Sequence, residues 1–172
     1  MSNVLVVYYS RSGNTRRLAD AIARAGDCDI EELVDETDRS GFIGYQRCLV
    51  DASFRRLTPL AELEHDPAEY DLVVVGTPIW GWSVSAPVRT FLWRYQRRIH
   101  EVAFFVTCGG SGGARVLAQM ARAVGRAPRG SLVLTEREIV AGAIEAQAPR
   151  FIQDLTRRPQ EPRPESAPLH IH

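Results

Sequence analysis

Ser10-Arg-Ser-Gly-Asn-Thr15 is the stretch on which the interpretation of this chain depends. It follows the β-branched and aromatic run Val4–Tyr9, which predicts a buried strand. It precedes Arg16–Ala25, where apolar residues at 18, 21, 22 and 25 predict the stripe of an amphipathic helix. We therefore expect the stretch to form a loop between a strand and the N-terminus of a helix.

A loop in that position suits an anion. The first N–H groups of a helix have no partner within the helix, and the helix dipole is positive at that end, so a phosphate is the natural occupant. The loop adds three hydroxyls, an amide and a glycine that lets the backbone approach a ligand, from Ser10, Ser12, Thr15, Asn14 and Gly13. The alternative is that Ser12 or Asn14 only caps the helix. A cap needs fewer polar side chains, so we predict phosphate binding.

Two common phosphate motifs do not fit this stretch. The Walker loop requires Gly-x4-Gly-Lys, and the chain contains no lysine. The dinucleotide fingerprint Gly-x-Gly-x-x-Gly is absent, because Gly13 stands alone. The predicted site therefore depends on hydroxyls and amides.

The composition predicts one globular domain in the cytoplasm. The 172 residues are 45% hydrophobic, which is enough for a sizeable core. Twenty-one arginines balance 21 acidic residues, so the charge indicates neither a nucleic-acid partner nor a membrane surface. No apolar run reaches the roughly 20 residues of a membrane span, and no signal peptide precedes the first strand. Three widely spaced cysteines, Cys28, Cys48 and Cys108, fit a reducing compartment.

Strands and helices alternate along the rest of the chain. Further strands are predicted at Cys28–Val34, Tyr70–Gly76, Glu101–Thr107 and Ser131–Thr135. Helices are predicted over Ser85–Tyr95, after Gly113 with Val116, Leu117, Met120 and Val124 facing inward, and around Ile144–Leu155. This alternation predicts an α/β fold with a five-stranded parallel sheet and helices on both faces. Residues 36–60 fit a helix less clearly. The domain is expected to cover 1–157, and the Pro-rich stretch 158–172 is expected to be a disordered tail.

Three loops of unusual chemistry should meet at one edge of this sheet. Residues 10–15, 77–83 and 107–113 each follow a predicted strand. Parallel sheets bind ligands outside the carboxyl ends of their strands, where the strand order reverses. We therefore expect the three loops to form a single site.

These segments resemble the flavodoxin family. Tyr9–Thr15 is similar to the phosphate loop of that family, and Thr77–Gly81 with Ala86–Leu92 is similar to its first flavin-ring loop and the helix that follows. Thr107–Ser111 lies where the second ring loop would be. The resemblance covers the chain up to the tail. It implies a flavodoxin-like three-layer sandwich with strand order 2-1-3-4-5, and FMN as the cofactor.

The resemblance also implies a role for each loop. The first would hold the FMN phosphate, indoles of the second would stack on the isoalloxazine ring, and backbone groups of the second and third would bind its polar edge. The implied cofactor-binding residues are Ser10, Arg11, Ser12, Gly13, Asn14, Thr15, Pro78, Ile79, Trp80, Gly81, Trp82, Thr107, Cys108, Gly109, Gly110 and Ser111. No metal is implied, and no side chain is expected to perform covalent chemistry.

Two departures from the family pattern bear on the reaction. Flavodoxins that shuttle electrons are typically acidic, whereas this chain has a formal charge of zero. Cys108–Gly113 also lacks the stacking aromatic that the second ring loop often carries, which would leave one face of the flavin open. Both departures favour an FMN-dependent oxidoreductase linked to NAD(P)H or a quinone over a carrier for a redox partner protein. A homodimer, common among relatives, is left open.

Three alternatives remain. Gly109–Gly113 satisfies the Gly-x-Ser-x-Gly elbow of serine hydrolases, with Ser111 as the nucleophile, but the only later histidines are in the tail. Cys108 and Arg115 are one residue too far apart for a phosphatase loop, and Cys108 has no neighbouring histidine to activate it. A cofactor-less interaction module on the same fold is the third alternative, and the intact phosphate loop argues against it.

Overall fold

The computed structural model describes residues 3–35 and 57–157. Its elements are β1 Val4–Tyr8, α1 Asn14–Gly26, β2 Asp29–Glu32, β3 Leu72–Trp80, β4 Ser83–Val84, α2 Ala86–Tyr95, β5 Glu101–Cys108, α3 Gly113–Val124, β6 Ser131–Thr135, α4 Glu136–Val140 and α5 Ala143–Thr156. A turn of 3-10 helix at Pro67–Glu69 precedes β3. Within these ranges, no helix combines the length and apolar character needed to cross a membrane.

Two predictions fall mostly or wholly outside the described residues. The helix predicted over 36–60 is described only from residue 57, and residues 57–60 are not helical. The predicted tail over 158–172 lies outside the described ranges, as does Cys48.

Five strands of the sheet pair in parallel, in the order β2-β1-β3-β5-β6. Strand β4 folds back antiparallel onto the end of β3. With β4 set aside, this is the order 2-1-3-4-5 that the family resemblance implies. The central strand β3 places Gly76 opposite Tyr8 of β1 and opposite Phe105 of β5. The strand order therefore reverses between β1 and β3.

Helices cover both faces of the sheet. Helices α1 and α5 pack on one face through side chains such as Ile22 and Ile152, and α2 and α3 pack on the other through Phe91 and Met120. All five residues of β1 are buried, which explains why the parallel strands are continuous apolar runs. The predicted three-layer α/β sandwich is confirmed.

The buried face of α1 differs from the predicted stripe. Leu18 and Ile22 are fully buried as expected, but Ala19 and Ala23 complete the buried face, while Ala25 is exposed. Alanines lie on both flanks of the Leu18–Ile22 line, so the sequence pattern could not show which flank faces inward. The helix turns that flank towards α5, where a Cβ on Gly26 would lie 2.5 Å from Ile152 Cγ1.

The stretch 77–83 was expected to be a loop, and this prediction was wrong. Strand β3 continues through Trp80, and β4 pairs with it, Ile79 opposite Val84 and Trp80 opposite Ser83. Pro78 and Gly81 are residues that usually interrupt strands. Here Pro78 lies opposite Thr107 near the end of the ladder, and Gly81 lies in the turn of the hairpin.

Glu31 on β2 anchors the segment that leads into the 3-10 turn. Its buried carboxylate accepts the backbone N–H groups of Glu64 and His65 at 3.2 and 3.1 Å, and lies 2.8 Å from His65 Nδ1. The strand next to β2 is β1, and the far side of β2 has no strand partner among the described residues. These bonds therefore attach the chain to the outer strand of the sheet.

We expect Gly76→Ala to destabilise the fold by about 3 kcal/mol. A Cβ on Gly76 would lie 2.0 Å from Cζ of Phe105, and this ring is fully buried, so either the ring or the strand would have to shift. Urea unfolding measures the change. Gly109→Ala is the matched control, because nothing lies within 4 Å of its added Cβ, and it should cost less than about 0.5 kcal/mol.

The double variant Gly76→Ala/Phe105→Leu identifies the cause of this loss. If the ring causes the clash, the double variant will lose less stability than the two single variants added together. Additive losses would show that the close approach of Phe105 does not explain the need for glycine.

Candidate functional site

A cavity of about 380 Å³ opens at the carboxyl ends of β1, β3 and β5. It is lined by the loop after β1, the last residues of β3 and the end of β5, through Arg11, Ser12, Asn14, Pro78, Ile79, Trp80, Thr107, Cys108 and Gly109, with Glu136 from α4. The three loops predicted to meet therefore share one cavity. It lies beside the point where the strand order reverses, which is where sheets of this kind bind ligands.

Helix α1 begins without a side-chain cap. Its N-cap residue is Gly13, with φ 95°, and no side chain bonds the first N–H groups of the helix. Neither Ser12 nor Asn14 caps the helix, and both residues line the cavity instead. Ser10 Oγ accepts the N–H of Gly13 at 3.2 Å, which closes the loop on itself. Uncapped N–H groups at a helix N-terminus are the feature that binds phosphate.

Thr15 connects this loop to the end of β5. Its Oγ1 lies 2.8 Å from Thr107 Oγ1, and both side chains are buried. The bond spans the central strand β3, since β1 and β5 lie on opposite sides of it. The structure thus gives the Thr15 hydroxyl a protein partner, and its contact with a ligand stays a prediction.

The two tryptophans of the second loop have different environments. Trp80 is 9% exposed and lines the cavity, where its ring meets Tyr9 edge to face with centroids 5.3 Å apart. Trp82 is 56% exposed and lies in the β3–β4 turn with φ 62°. Trp80 is thus held rigidly by packing, whereas Trp82 offers a large apolar surface to solvent.

The third loop is open. Nothing lies within 4 Å of a Cβ added at Gly109 or Gly110, and Ser111 is exposed. Of the predicted site residues, those that do not line the cavity are Ser10, Gly13, Thr15, Gly81, Trp82, Gly110 and Ser111. Each is a near sequence neighbour of one that does. The open glycines leave room beside the cavity for a second molecule.

Cys108 lines the cavity as a neutral thiol. Burial raises its pKa most, the Gly110 N–H lowers it by less, and the carboxylates of Glu138 and Glu136 each add a smaller increase. A thiol with a raised pKa has little thiolate at neutral pH and is a poor nucleophile. We therefore interpret Cys108 as a packing residue in the wall of the cavity.

Glu136 lines the cavity, and it was not among the predicted residues. It opens α4, a short helix that follows β6 directly. A signal for this helix was present in the sequence: Thr135 and Glu138 form a capping box, in which Thr135 Oγ1 accepts the Glu138 N–H and Glu138 accepts the Thr135 N–H. The same threonine also ends a strand pattern, which concealed the helix.

The structure does not support a hydrolase around Ser111. His100 immediately precedes β5, whereas Ser111 lies past its other end, and a strand of eight residues is about 26 Å long. His65 is bonded to Glu31 on β2. No described histidine therefore reaches Ser111. In residues 3–35 and 57–157 no group of three metal-ligating side chains is found either.

Comparison with known proteins identifies similar sequences. A family model described as Flavodoxin matches residues 3–147. A protein from Cupriavidus metallidurans named NAD(P)H dehydrogenase (quinone) is 36% identical over 96 residues, which are 54% of this chain and 46% of that protein. One of the same name from Chromohalobacter salexigens is 29% identical over 181 residues, covering 94% and 89%.

A third relative with that name, from Paracoccus denitrificans, is 29% identical over 127 residues, 64% of this chain and 56% of the relative. The chain thus spans about half the length of two of these curated relatives.

Solved structures show the same fold. A flavoprotein from Lactobacillus acidophilus, determined in complex with FMN, aligns with a TM-score of 0.67 and 23% identity, covering 83% of this chain and 99% of that one. A protein from Bacteroides uniformis described as a flavoprotein aligns with a TM-score of 0.73 and 22% identity, covering 88% and 98%.

The capping box beside the cavity should make the stability of the fold depend on the titration of Glu138. The backbone N–H and the hydroxyl of Thr135 hold the pKa of Glu138 below its usual range. Because this folded-state pKa is depressed, the stabilisation is present above the pKa of the unfolded chain and is lost as the pH falls through the folded value. Thr135→Val should raise the pKa only part of the way, since the backbone N–H remains.

Carboxyl carbon NMR of Glu138 measures this titration. Thr156→Val is the control, because that hydroxyl donates to the carbonyl of Ile152 and touches no carboxylate. An unchanged Glu138 midpoint in Thr135→Val would show that the hydroxyl does not hold the carboxylate in solution.

Proposed function

This chain belongs to the flavodoxin family, and we propose that it binds FMN and acts as an NAD(P)H-dependent quinone oxidoreductase. The observation that carries the proposal is the cavity at the carboxyl ends of β1, β3 and β5, with the uncapped N-terminus of α1 at one side. The names of the curated relatives support the choice of substrates. These names describe those proteins, and the same activity is our proposal for this chain.

The residues that line the cavity fit FMN. Ser12, Asn14 and the free N–H groups of α1 form a donor set suited to a phosphate. Pro78, Ile79 and Trp80 form an apolar wall of the kind that accepts a flat aromatic ring. Both halves of the cofactor thus find suitable chemistry in one cavity.

The protein's own part in the reaction would be to hold FMN and to shield its ring from water. The α1 N-terminus would bind and orient the phosphate, and the bond between Thr15 and Thr107 would keep the first and third loops at a fixed separation. Trp80, locked against Tyr9, would exclude water from one side of the ring. When bound, FMN itself supplies the redox chemistry, accepting two electrons from a reduced pyridine nucleotide and passing them to a quinone.

The open third loop favours an enzyme over a carrier. Space around Gly109 and Gly110 would let a nicotinamide or a quinone approach the cofactor. We also propose a cytoplasmic location, which the free thiols of Cys28 and Cys108 support. A homodimer stays a prediction, which light scattering of the purified protein would test.

FMN binding is tested with Ser12→Asp. Adding a carboxylate to the phosphate loop should weaken FMN binding at least about tenfold, which is about 1.4 kcal/mol, because like charges would meet. Riboflavin has no phosphate, so its affinity should stay the same in this variant. Quenching of flavin fluorescence on titration measures both.

Ser131→Asp is the matched control, because Ser131 is an exposed serine at the opposite end of the sheet, at the start of β6. It should leave both affinities unchanged. If FMN and riboflavin lose affinity equally in Ser12→Asp, the phosphate does not lie at this loop. If the unsubstituted chain binds neither, the proposal of an FMN protein is wrong.

The reaction is tested on the FMN-loaded protein without oxygen. We expect NADH or NADPH to bleach the flavin absorbance, and a water-soluble benzoquinone to restore it within the same cycle. Bleaching by dithionite but by neither pyridine nucleotide would contradict the enzyme proposal, and would indicate a carrier that depends on a redox partner protein.

A further inference from the structure

We propose that Gln119 is a positioning residue that holds the Gly81–Trp82 turn against the third loop, so that the Trp82 indole stays at the border of the FMN cavity. Gln119 lies in the middle of α3 and does not line the cavity. The proposal rests on the proposed function for the identity of the ligand. The contacts that carry it are features of the protein alone.

The turn that presents Trp82 has an unfavourable backbone. Gly81 and Trp82 have φ values of 50° and 62°, and they join β3 to β4 as a two-residue hairpin. Turns with two positive φ angles strongly prefer asparagine and glycine, and a bulky side chain at such a position is an outlier. A left-handed tryptophan that is also mostly exposed needs support from the surrounding structure.

Gln119 supplies that support with all of its amide atoms. Its Nε2 donates to the carbonyl of Trp82 at 3.2 Å. Its Oε1 accepts the hydroxyl of Ser83 at 3.0 Å and the N–H of Val84 at 3.2 Å. One side chain from α3 thus binds three consecutive residues that begin in the turn.

A second side chain, from helix α2, also binds residues that follow this turn. Arg89 on α2 donates to the Ser83 hydroxyl at 2.9 Å and to the Val84 carbonyl at 2.8 Å. Ser83 therefore receives a bond from Arg89 and gives one to Gln119. Hydrogen bonds in such a chain polarise and strengthen one another.

The Trp82 ring lies close to Gly112 of the third loop. A Cβ on Gly112 would lie 3.2 Å from Cε3 of Trp82 and 3.4 Å from Cδ1 of Ile79. Gly112 is the residue before α3, and Ile79 is in the cavity wall. The Trp82 ring and the cavity-lining Ile79 side chain thus both approach Gly112, which belongs to the same loop as Gly109 and Gly110.

Helix α3 is itself firmly placed, so it can act as the support. A Cβ on Gly113 would lie 2.6 Å from Val133 Cγ1, which shows that the start of α3 approaches β6 closely. The third loop and the Gly81–Trp82 turn are both tied to this helix, one through the chain and the other through Gln119. Loss of the Gln119 amide would therefore release Trp82 while leaving α3 in place.

The position of Trp82 can be measured without FMN. In the full chain labelled with 5-fluorotryptophan, fluorine NMR gives one signal for each of the three tryptophans, assigned with Trp82→Phe and Trp93→Phe. In Gln119→Met, which keeps the length but removes the amide, we expect the Trp82 signal to narrow and move towards that of the free amino acid. The Trp80 signal should stay where it is.

Gln96→Met is the matched control. Gln96 follows the last residue of α2, and its amide also donates to a tryptophan carbonyl, that of Trp93. This variant should leave the Trp82 signal unchanged. If Gln119→Met fails to fold, Gln119→Glu replaces it, since the carboxylate keeps an acceptor for Ser83 and Val84 but loses the donor to Trp82.

FMN affinity shows whether Gln119 acts through Trp82. Gln119→Met and Trp82→Ala should each weaken FMN binding about tenfold, and the double variant should be no weaker than Trp82→Ala. Losses that multiply to about a hundredfold would mean independent effects and would overturn the proposal. An unmoved Trp82 signal in Gln119→Met would overturn it as well.

The two measurements separate this proposal from the proposed function. If the unsubstituted chain does not bind FMN, the proposed function fails and so does the role of Trp82 at the border of that ligand's cavity. The fluorine signals would still show whether Gln119 holds the turn.

Discussion

The parallel pairing of β3 with β1 on one side and β5 on the other fixes the geometry of this protein. Gly76 lies opposite Tyr8 and Phe105, so the three strands end at one edge and the loops that follow them emerge together. The hydrogen bond between the Thr15 and Thr107 hydroxyls then joins the start of α1 to the end of β5 across the middle strand. The cavity opens at this edge, and the glycine of the central strand gives the Phe105 ring the space to pack against it. The pairing of the strands therefore decides where the cavity lies, and the side chains that line it then decide what it can bind.

Most of the architecture could be predicted from local pattern. Continuous apolar runs identify the buried parallel strands, and the hydroxyl-rich stretch after β1 marks the helix N-terminus. The hairpin could not be predicted, because Gly81–Trp82 is not one of the usual turn pairs and Pro78 resembles the end of a strand. The helix α4 could have been predicted, since Thr135 and Glu138 form a capping box that the strand pattern obscured.

The candidate site, like the fold, could be predicted from the sequence only in part. The loops could be located from sequence because each follows a strand, and nine of the predicted residues line the cavity. Which hydroxyl points where could not be predicted: Thr15 belongs to the polar stretch, yet its side chain bonds to a residue 92 positions away. Gln119 shows the same limit, because its three partners lie on another element and no periodicity in α3 marks it. Long-range side-chain contacts are set by packing, which a local pattern does not encode.

The separation of β1 and β3 along the chain has a consequence for biogenesis. Val4 pairs with Leu72, and β5 follows only at Glu101. Pairings this distant close slowly, because the entropy of a long loop is lost before the contacts form. During synthesis the loop after β1 therefore emerges early, but the cavity is completed only when Cys108 has left the ribosome and β5 has paired. A ligand of this cavity would therefore bind after the sheet has formed, and its binding would stabilise the folded protein.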